Sequence, residues 1–174
     1  MDRNQVRAFE AFVSESGDVL LRTATLLTSD RHAAEDVYQE TLHRLFMRWP
    51  RVDNPEGFCR QVMHNLVIDL ARARQRRPRE LELRDTYDGR DPRSGDPASA
   101  AELRPTVLAA LDTLTVHQRA IVVLRYFEDR SQDEVAELLG VSPGTVKSTA
   151  SRAVAQLRAQ PGLAALFADA TTTS

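Results

Sequence analysis

The sequence predicts an all-α protein built as two small helical domains joined by a flexible acidic linker. Three observations predict it. Ala, Leu, Arg and Glu are abundant and aromatics make up only 6% of the 174 residues, a composition that favours helices. Apolar residues recur at helical spacing over residues 6–77 and again over 106–158. Between these blocks the chain holds Pro78, Pro92, Pro97, Gly89 and Gly95 among Asp and Ser, with almost no apolar pattern.

The first block opens with Val6, Phe9, Phe12 and Val13 and continues through Val19, Leu20, Leu21, Ala24, Leu26 and Leu27. Helical spacing runs on both sides of Ser16-Gly17-Asp18, so the expectation is two helices, or one with an irregular middle. Ser29 or Asp30 caps a following helix over about 31–48. Its apolar face is Ala34, Val37, Tyr38, Thr41, Leu42, Leu45 and Phe46, and its other face holds Glu35, Asp36, Gln39, Glu40, His43 and Arg44. Trp49-Pro50 ends it, because the residue before Pro is pushed out of helical geometry. Asn54 as cap and Pro55 at the first position open a third helix. It carries Phe58, Val62, Leu66, Ile68 and Leu70 and runs into ARARQRR. Residues 1–77 therefore form one helical unit.

Residues 78–105 are expected to be a linker without a core. About 25 residues at ~3.3 Å each reach about 80 Å, so the flanking units can sit far apart. The second unit, 106–160, starts with Val107, Leu108, Leu111 and Leu114. Thr115 and Gln118 have capping-box spacing, and Ile121, Val122, Leu124, Tyr126 and Phe127 continue its core. Asp129-Arg130 make the next turn. Residues 161–174 are expected to be a weak helix and a polar tail.

The stretch Ser131–Leu157 carries the most information. Ser131 and Glu134 repeat the capping-box spacing, and Val135, Ala136 and Leu139 share a face. Gly140 suits a left-handed helix end. Ser142 caps a second helix with Pro143 at its first position. Val146, Ala150, Ala153 and Leu157 then make one apolar stripe, leaving Lys147, Ser148, Ser151 and Arg152 on the opposite face. This is the layout of a helix-turn-helix whose second helix enters a DNA major groove. Lys147 is the only lysine in the chain.

The net charge is −2, which does not by itself point to nucleic acid, and its distribution is more informative: one basic block lies between acidic neighbours, which alone fits a solvated helix end as well as a nucleic-acid patch. Residues 60–79 hold six basic and one acidic residue. Acidic segments flank them: 1–59 with seven basic and ten acidic, and 80–103 with three and seven. The single Cys59 excludes an intrachain disulfide framework, and the four histidines lack metal-ligand spacing. No apolar run reaches the roughly 18 residues of a membrane span, and MDRNQVRAFEAF is no signal peptide, so a cytoplasmic protein without membrane insertion is expected.

Two helical units, one ending in a basic block and the other in a helix-turn-helix, resemble an extracytoplasmic-function (group IV) RNA polymerase sigma factor over roughly 6–77 and 106–158. AAEDVYQETLHRLF is similar to that family's core-polymerase motif, and GFCRQVMHNLVIDLARARQRR to its promoter-melting helix. LTVHQRAIVVLRYFEDRSQDEVAELLGVSPGTVKSTASRAVAQLR follows the family's C-terminal pattern, and RWPRVDNPEGFCRQV resembles short actinobacterial-type members.

The resemblance implies a transcription initiation factor with no catalytic residue, metal or cofactor. Asp36, Gln39, Glu40, Arg44 and Arg48 would meet the clamp helices of the polymerase β′ subunit. Asn65 would read a flipped-out base of the −10 strand through its donor and acceptor. His64 and Asp69 lie beside it, and Arg72, Arg74, Arg76 and Arg77 would hold phosphates. Ser142, Thr145, Lys147, Ser148, Thr149, Ser151 and Arg152 would meet the −35 duplex. Core RNA polymerase, promoter DNA and an anti-sigma factor are the implied partners. The alternative is a stand-alone helix-turn-helix regulator with a helical sensor or dimerisation domain. That protein would need neither the Gln39-Glu40 motif nor the basic block. An enzyme using Glu35, Asp36 and Glu40 as a metal site lacks the usual Glu-x-x-His partner.

Overall fold

Asp2 opens the first helix by accepting the Gln5 backbone N–H while the Gln5 side chain returns to the Asp2 N–H. In the computed structural model, residues 2–76 and 105–160 are described, without the side chains of 74–76. The expected 78–105 linker, Pro105 apart, and the 161–174 tail lie outside them.

Helix α1 spans Arg3–Thr28 without a break, so Ser16-Gly17-Asp18 does not divide it. Gly17 is buried there because α1 meets the next helix closely: a Cβ at Gly17 would lie 2.9 Å from the Tyr38 hydroxyl. Ser29 ends α1 with a left-handed φ of 56°, and Asp30 caps α2, Arg31–Arg48, by accepting the Ala33 N–H. A 3₁₀ turn at Trp49–Arg51 follows, then α3, Pro55–Arg76, where Asn54 accepts the Gly57 N–H.

The second unit comprises α4 (Pro105–Asp112), α5 (Val116–Val122) running into a π-helical turn (Val123–Phe127), α6 (Gln132–Leu139) and α7 (Pro143–Arg158). Both expected capping boxes form, Thr115 with Gln118 and Ser131 with Glu134. Gly140 takes φ 65° and Ser142 caps α7. Among the described residues every regular element is helical.

Two apolar clusters hold the chain together. The smaller belongs to the second unit alone: Ile121, Leu124, Val135, Ala136, Val146 and Ala150. The larger crosses both units, joining Leu20, Leu27, Leu45, Met63 and Val67 to Leu111, Val122, Val123 and Leu157. The two units are thus docked, α3 against α5 and α6, and α1 against α4, α5 and the π-turn.

Docking changes which residues are inside. On α3 the buried apolar positions are Cys59, Val62, Met63 and Val67; of the residues expected inside, Val62 is buried, Phe58 and Leu66 pack half-buried against the core, and Leu70 is exposed. That helix packs against α1 and α2 on one side and the second unit on another, so its buried stripe is rotated and wider than a single-sided pattern predicts. Phe127, expected in the core, is exposed, as is Phe46.

Candidate nucleic-acid interface

Helix α7 and its cap carry seven candidate residues. The cap that starts the helix fixes their direction. Ser142 accepts the Thr145 N–H at 3.1 Å, and its hydroxyl also shares a 2.8 Å hydrogen bond with that of Thr145. Ser148 donates to the Thr145 carbonyl, and Arg152 donates through Nε to the Ser148 carbonyl at 3.2 Å. Val146, Ala150, Ala153, Val154 and Leu157 are buried, whereas Ser142, Thr145, Lys147, Ser148, Ser151 and Arg152 are exposed and Thr149 is half-buried. The outward face is therefore short, hydroxyl-rich and cationic, with an N-terminus that favours anions. Small side chains let a backbone approach a groove, and Lys147 and Arg152 can donate to phosphate oxygens or guanine edges.

On α3, Asn65, Asp69 and Arg72 follow one another at i, i+4 and i+7 and are all exposed. Arg72 lies 3.7 Å from Asp69. Arg77 and the side chains of Arg74 and Arg76 fall outside the described residues. His64 departs from expectation. It is buried against His117, ring centroids 5.5 Å apart, and its Nε2 has no hydrogen-bond partner. In this docked form it faces the second unit and cannot reach DNA. Burial, then the neighbouring His117, pushes its pKa below the ordinary histidine value, against a hydrogen bond with Asn65.

Arg60 also departs. Counted in sequence as the first member of the basic block, it is buried and paired with Glu128 and with Glu56, the latter at 3.0 Å. Burial works against its charge, but the two carboxylates outweigh burial and raise its pKa. The basic character available to a partner therefore begins further along α3.

The third group lies on α2. Asp36 and Gln39 sit three residues apart with Glu40 next in line, and Asp36 and Gln39 are exposed while Glu40 is half-buried. Glu40 binds Arg44 at 2.7 Å, and Arg48 stacks over Phe58 with its guanidinium carbon 5.8 Å from the ring centre. Beside Gln39 lies an open apolar groove of about 530 Å³ lined by Phe9, Val13, Leu42 and Phe46. Phe46 is 40% exposed and Met47 68%. Helical periodicity alone assigns Phe46 to the core. The signal that separates it is its neighbour Met47, a second large apolar residue that the same periodicity leaves outside.

Cys59 is buried, and burial pushes its thiol up to about 12, with Arg60 opposing and Glu56 adding. It packs as a small apolar residue and is no thiolate nucleophile at neutral pH. Among the described residues no group of three or more His, Cys, Asp or Glu side chains is placed to hold a metal ion. No described helix is long and apolar enough to cross a membrane.

Known proteins match along both units. The Sigma-70 region 2 family matches residues 12–77, and the Sigma-70, region 4 family matches 105–157. The RNA polymerase sigma-E factor of Streptomyces antibioticus is 37% identical over 161 residues, covering 91% of this chain and 87% of that protein. The ECF RNA polymerase sigma factor SigL of Mycobacterium tuberculosis is 32% identical over 152 residues, 85% of each. In three dimensions the sigma factor RpoE of Bartonella quintana, solved with the anti-sigma factor NepR, shares the fold. Its TM-score is 0.69 at 24% identity, over 87% of this chain and 95% of that one. CnrH, solved with the cytosolic domain of CnrY, superposes with a TM-score of 0.60 at 26% identity, over 94% and 90%.

Proposed function

The chain belongs to the extracytoplasmic-function (group IV) RNA polymerase sigma factors, and we propose that it acts as one: it binds core RNA polymerase and directs initiation at promoters with −10 and −35 elements. The observation that carries this reading is the order of the two matched regions. Region 2 falls on the unit bearing Asp36, Gln39 and Asn65, and region 4 on the unit bearing the α7 face. A stand-alone regulator would need only the second.

We assign the parts as follows. Asp36, Gln39 and Glu40, with Arg44 and Arg48, bind the β′ clamp helices. The exposed Phe46 and the groove beside Gln39 lie next to that charged face and extend it with apolar area. Asn65 reads a base of the melted −10 strand, with Asp69 beside it, and Arg72, Arg74, Arg76 and Arg77 neutralise phosphates. The exposed face of α7 docks on the −35 duplex. The protein holds no catalytic residue of its own. It works by binding, and contacts to polymerase and promoter together offset the cost of opening DNA. It acts in the cytoplasm, where polymerase is found, and an anti-sigma factor is its regulator. The support for that last point is the neighbour solved with an anti-sigma factor.

The test is complex formation with bacterial core RNA polymerase, repeated with the double variant Asp36→Arg/Gln39→Ala. Tight binding lost in the variant supports both the function and the assigned face. Duplex binding by the wild type without any affinity for core polymerase supports the stand-alone regulator instead.

A further inference from the structure

We propose that His64 and His117 form a binding site for one divalent transition-metal ion of the Zn²⁺ or Cu²⁺ class, with one imidazole supplied by each helical unit. The two residues are far apart in the chain and share no motif, so spacing in the sequence does not report them. The fold brings His64 of α3 and His117 of α5 together, ring centres 5.5 Å apart and ring planes inclined at 58°. His64 is 5% exposed, and its Nε2 has no hydrogen-bond partner among the described residues.

A buried polar atom left unpartnered is costly, and such an atom calls for an explanation. The geometry fits a shared ion. A metal about 2.1 Å from one nitrogen of each ring, at a tetrahedral angle, sets the ring centres about 5 Å apart. The observed 5.5 Å is close to that, and the exposed His117 ring can turn to close the difference. His117 also gives the ion its way in from solvent.

The electronic state of His64 fits as well. Only the neutral imidazole ligates a metal, and burial together with His117 holds the His64 pKa below its ordinary value. No carboxylate acts on the ring to keep it protonated. The Asn65 side chain hydrogen-bonds the same ring, and because Nε2 is unpartnered that bond falls on Nδ1. A proton fixed on Nδ1 leaves the lone pair on Nε2, the outer-sphere arrangement that orients ligating histidines. Two imidazoles without a carboxylate or thiolate select Zn²⁺ or Cu²⁺ over Mg²⁺ and Ca²⁺, with water filling the other positions. Two arginines lie close by in sequence, and both are already paired: Arg60 with Glu128 and Glu56, Arg119 with Asp112. The incoming dication therefore meets no uncompensated charge from them.

Calorimetric titration of the chelator-stripped full chain with Zn²⁺ tests the site. One ion per chain should bind with a Kd of about 1–100 µM, far weaker than a four-ligand structural site. Zn²⁺ should also raise the melting temperature, since the unfolded chain does not hold the two rings together. His117→Ala, at an exposed position, and His64→Phe should each weaken binding about tenfold or more with helical circular dichroism kept. Co²⁺ should give visible absorption bands with the wild type that both variants lose. His43→Ala, which breaks the exposed His43–Glu40 pair on α2, should leave the titration unchanged. No saturable binding up to about 1 mM, binding that survives His117→Ala, or binding lost in His43→Ala overturns the site.

A second readout rests on the sigma-factor reading. Asn65 is assigned there to reading a base, and a ligated His64 engages its side chain. Zn²⁺ should therefore weaken binding of the polymerase complex to promoter DNA with an exposed −10 strand several-fold relative to chelator, and His117→Ala should remove that response. Equal responses overturn the link to Asn65. A chain that forms no polymerase complex overturns the sigma-factor reading, while the titration still decides whether the site exists.

Discussion

The helix-turn-helix and the seam between the units are both buried, but they are built from opposite materials. Inside the second unit, Ile121, Leu124, Val135, Ala136, Val146 and Ala150 form a dry cluster closed by capping boxes and a left-handed glycine. At the seam, apolar contacts share the space with Arg60–Glu128, Arg119 on the Leu27 carbonyl, and the His64–His117 pair. The first arrangement fixes a rigid reading head, because a close-packed apolar cluster has one low-energy solution. The second fixes an orientation that charge, solvent and pH can undo.

Ile121→Ala should have the largest effect on this contrast. It removes buried methylenes from a cluster that has no way to open without unfolding the reading head, and should cost about 2–5 kcal/mol. Thermal unfolding followed by circular dichroism checks it. A loss well under about 1 kcal/mol would mean the cluster is loosely packed and the contrast with the seam is wrong.

Glu128→Ala should come second, although its nominal cost is similar. Leaving a buried guanidinium without its main partner costs about 3–5 kcal/mol in a site that cannot relax. Here the units can separate and rehydrate Arg60, so the loss of global stability should stop short of that range and appear instead as undocking. Hydrogen exchange should rise at the facing surfaces of α1, α3 and α5 while α6 and α7 stay protected. Equal loss of protection throughout both units would show that they unfold as one.

The same contrast explains what could be read in advance. The caps at Thr115, Ser131 and Ser142 and the turn at Gly140 depend on residues three or four apart, and all are legible in the sequence. The continuity of α1 is not. Ser16-Gly17-Asp18 has the composition of a break, and the reason for Gly17 is the hydroxyl of Tyr38 on another helix. The Arg60–Glu128 pair is separated by 68 residues and Thr23–Glu128 by 105, so no periodicity reports them. Arg60 even has the sequence context of a nucleic-acid patch, because a charge count does not register burial. Of the candidate interface, the exposed α7 face follows from its apolar stripe, whereas the burial of His64 requires the docked second unit.

Gly140→Ala should have a smaller, local effect. With φ at 65° a Cβ is strained whatever the space, and nothing lies within 4 Å of where it would stand. The cost is therefore conformational alone, about 1–2 kcal/mol. It should lower the melting temperature without changing the docked state, and a variant that also expands in scattering would tie the turn to the seam.

The smallest effect should come from His64, and it separates the two regions by pH. Burial lowers its folded pKa, so the open or unfolded chain binds its proton more readily than the docked one. Its contribution to docking is complete above the unfolded value, near pH ~6.5, and is lost as pH falls from there through the lowered folded value. His117 faces it from α5 and Asn65 adjoins it on α3, and a proton on His64 would sit beside that second imidazole with its own Nε2 unpartnered. Between about pH 7.5 and 5.5, a window bracketing that titration, the wild type should therefore loosen at the seam while the α6–α7 cluster, with no buried histidine, keeps its protection. His64→Phe, which keeps the ring and removes the titration, should flatten that dependence. A pH response unchanged in His64→Phe would move the sensitivity elsewhere and leave the Arg60–Glu128 pair as the main polar control of docking.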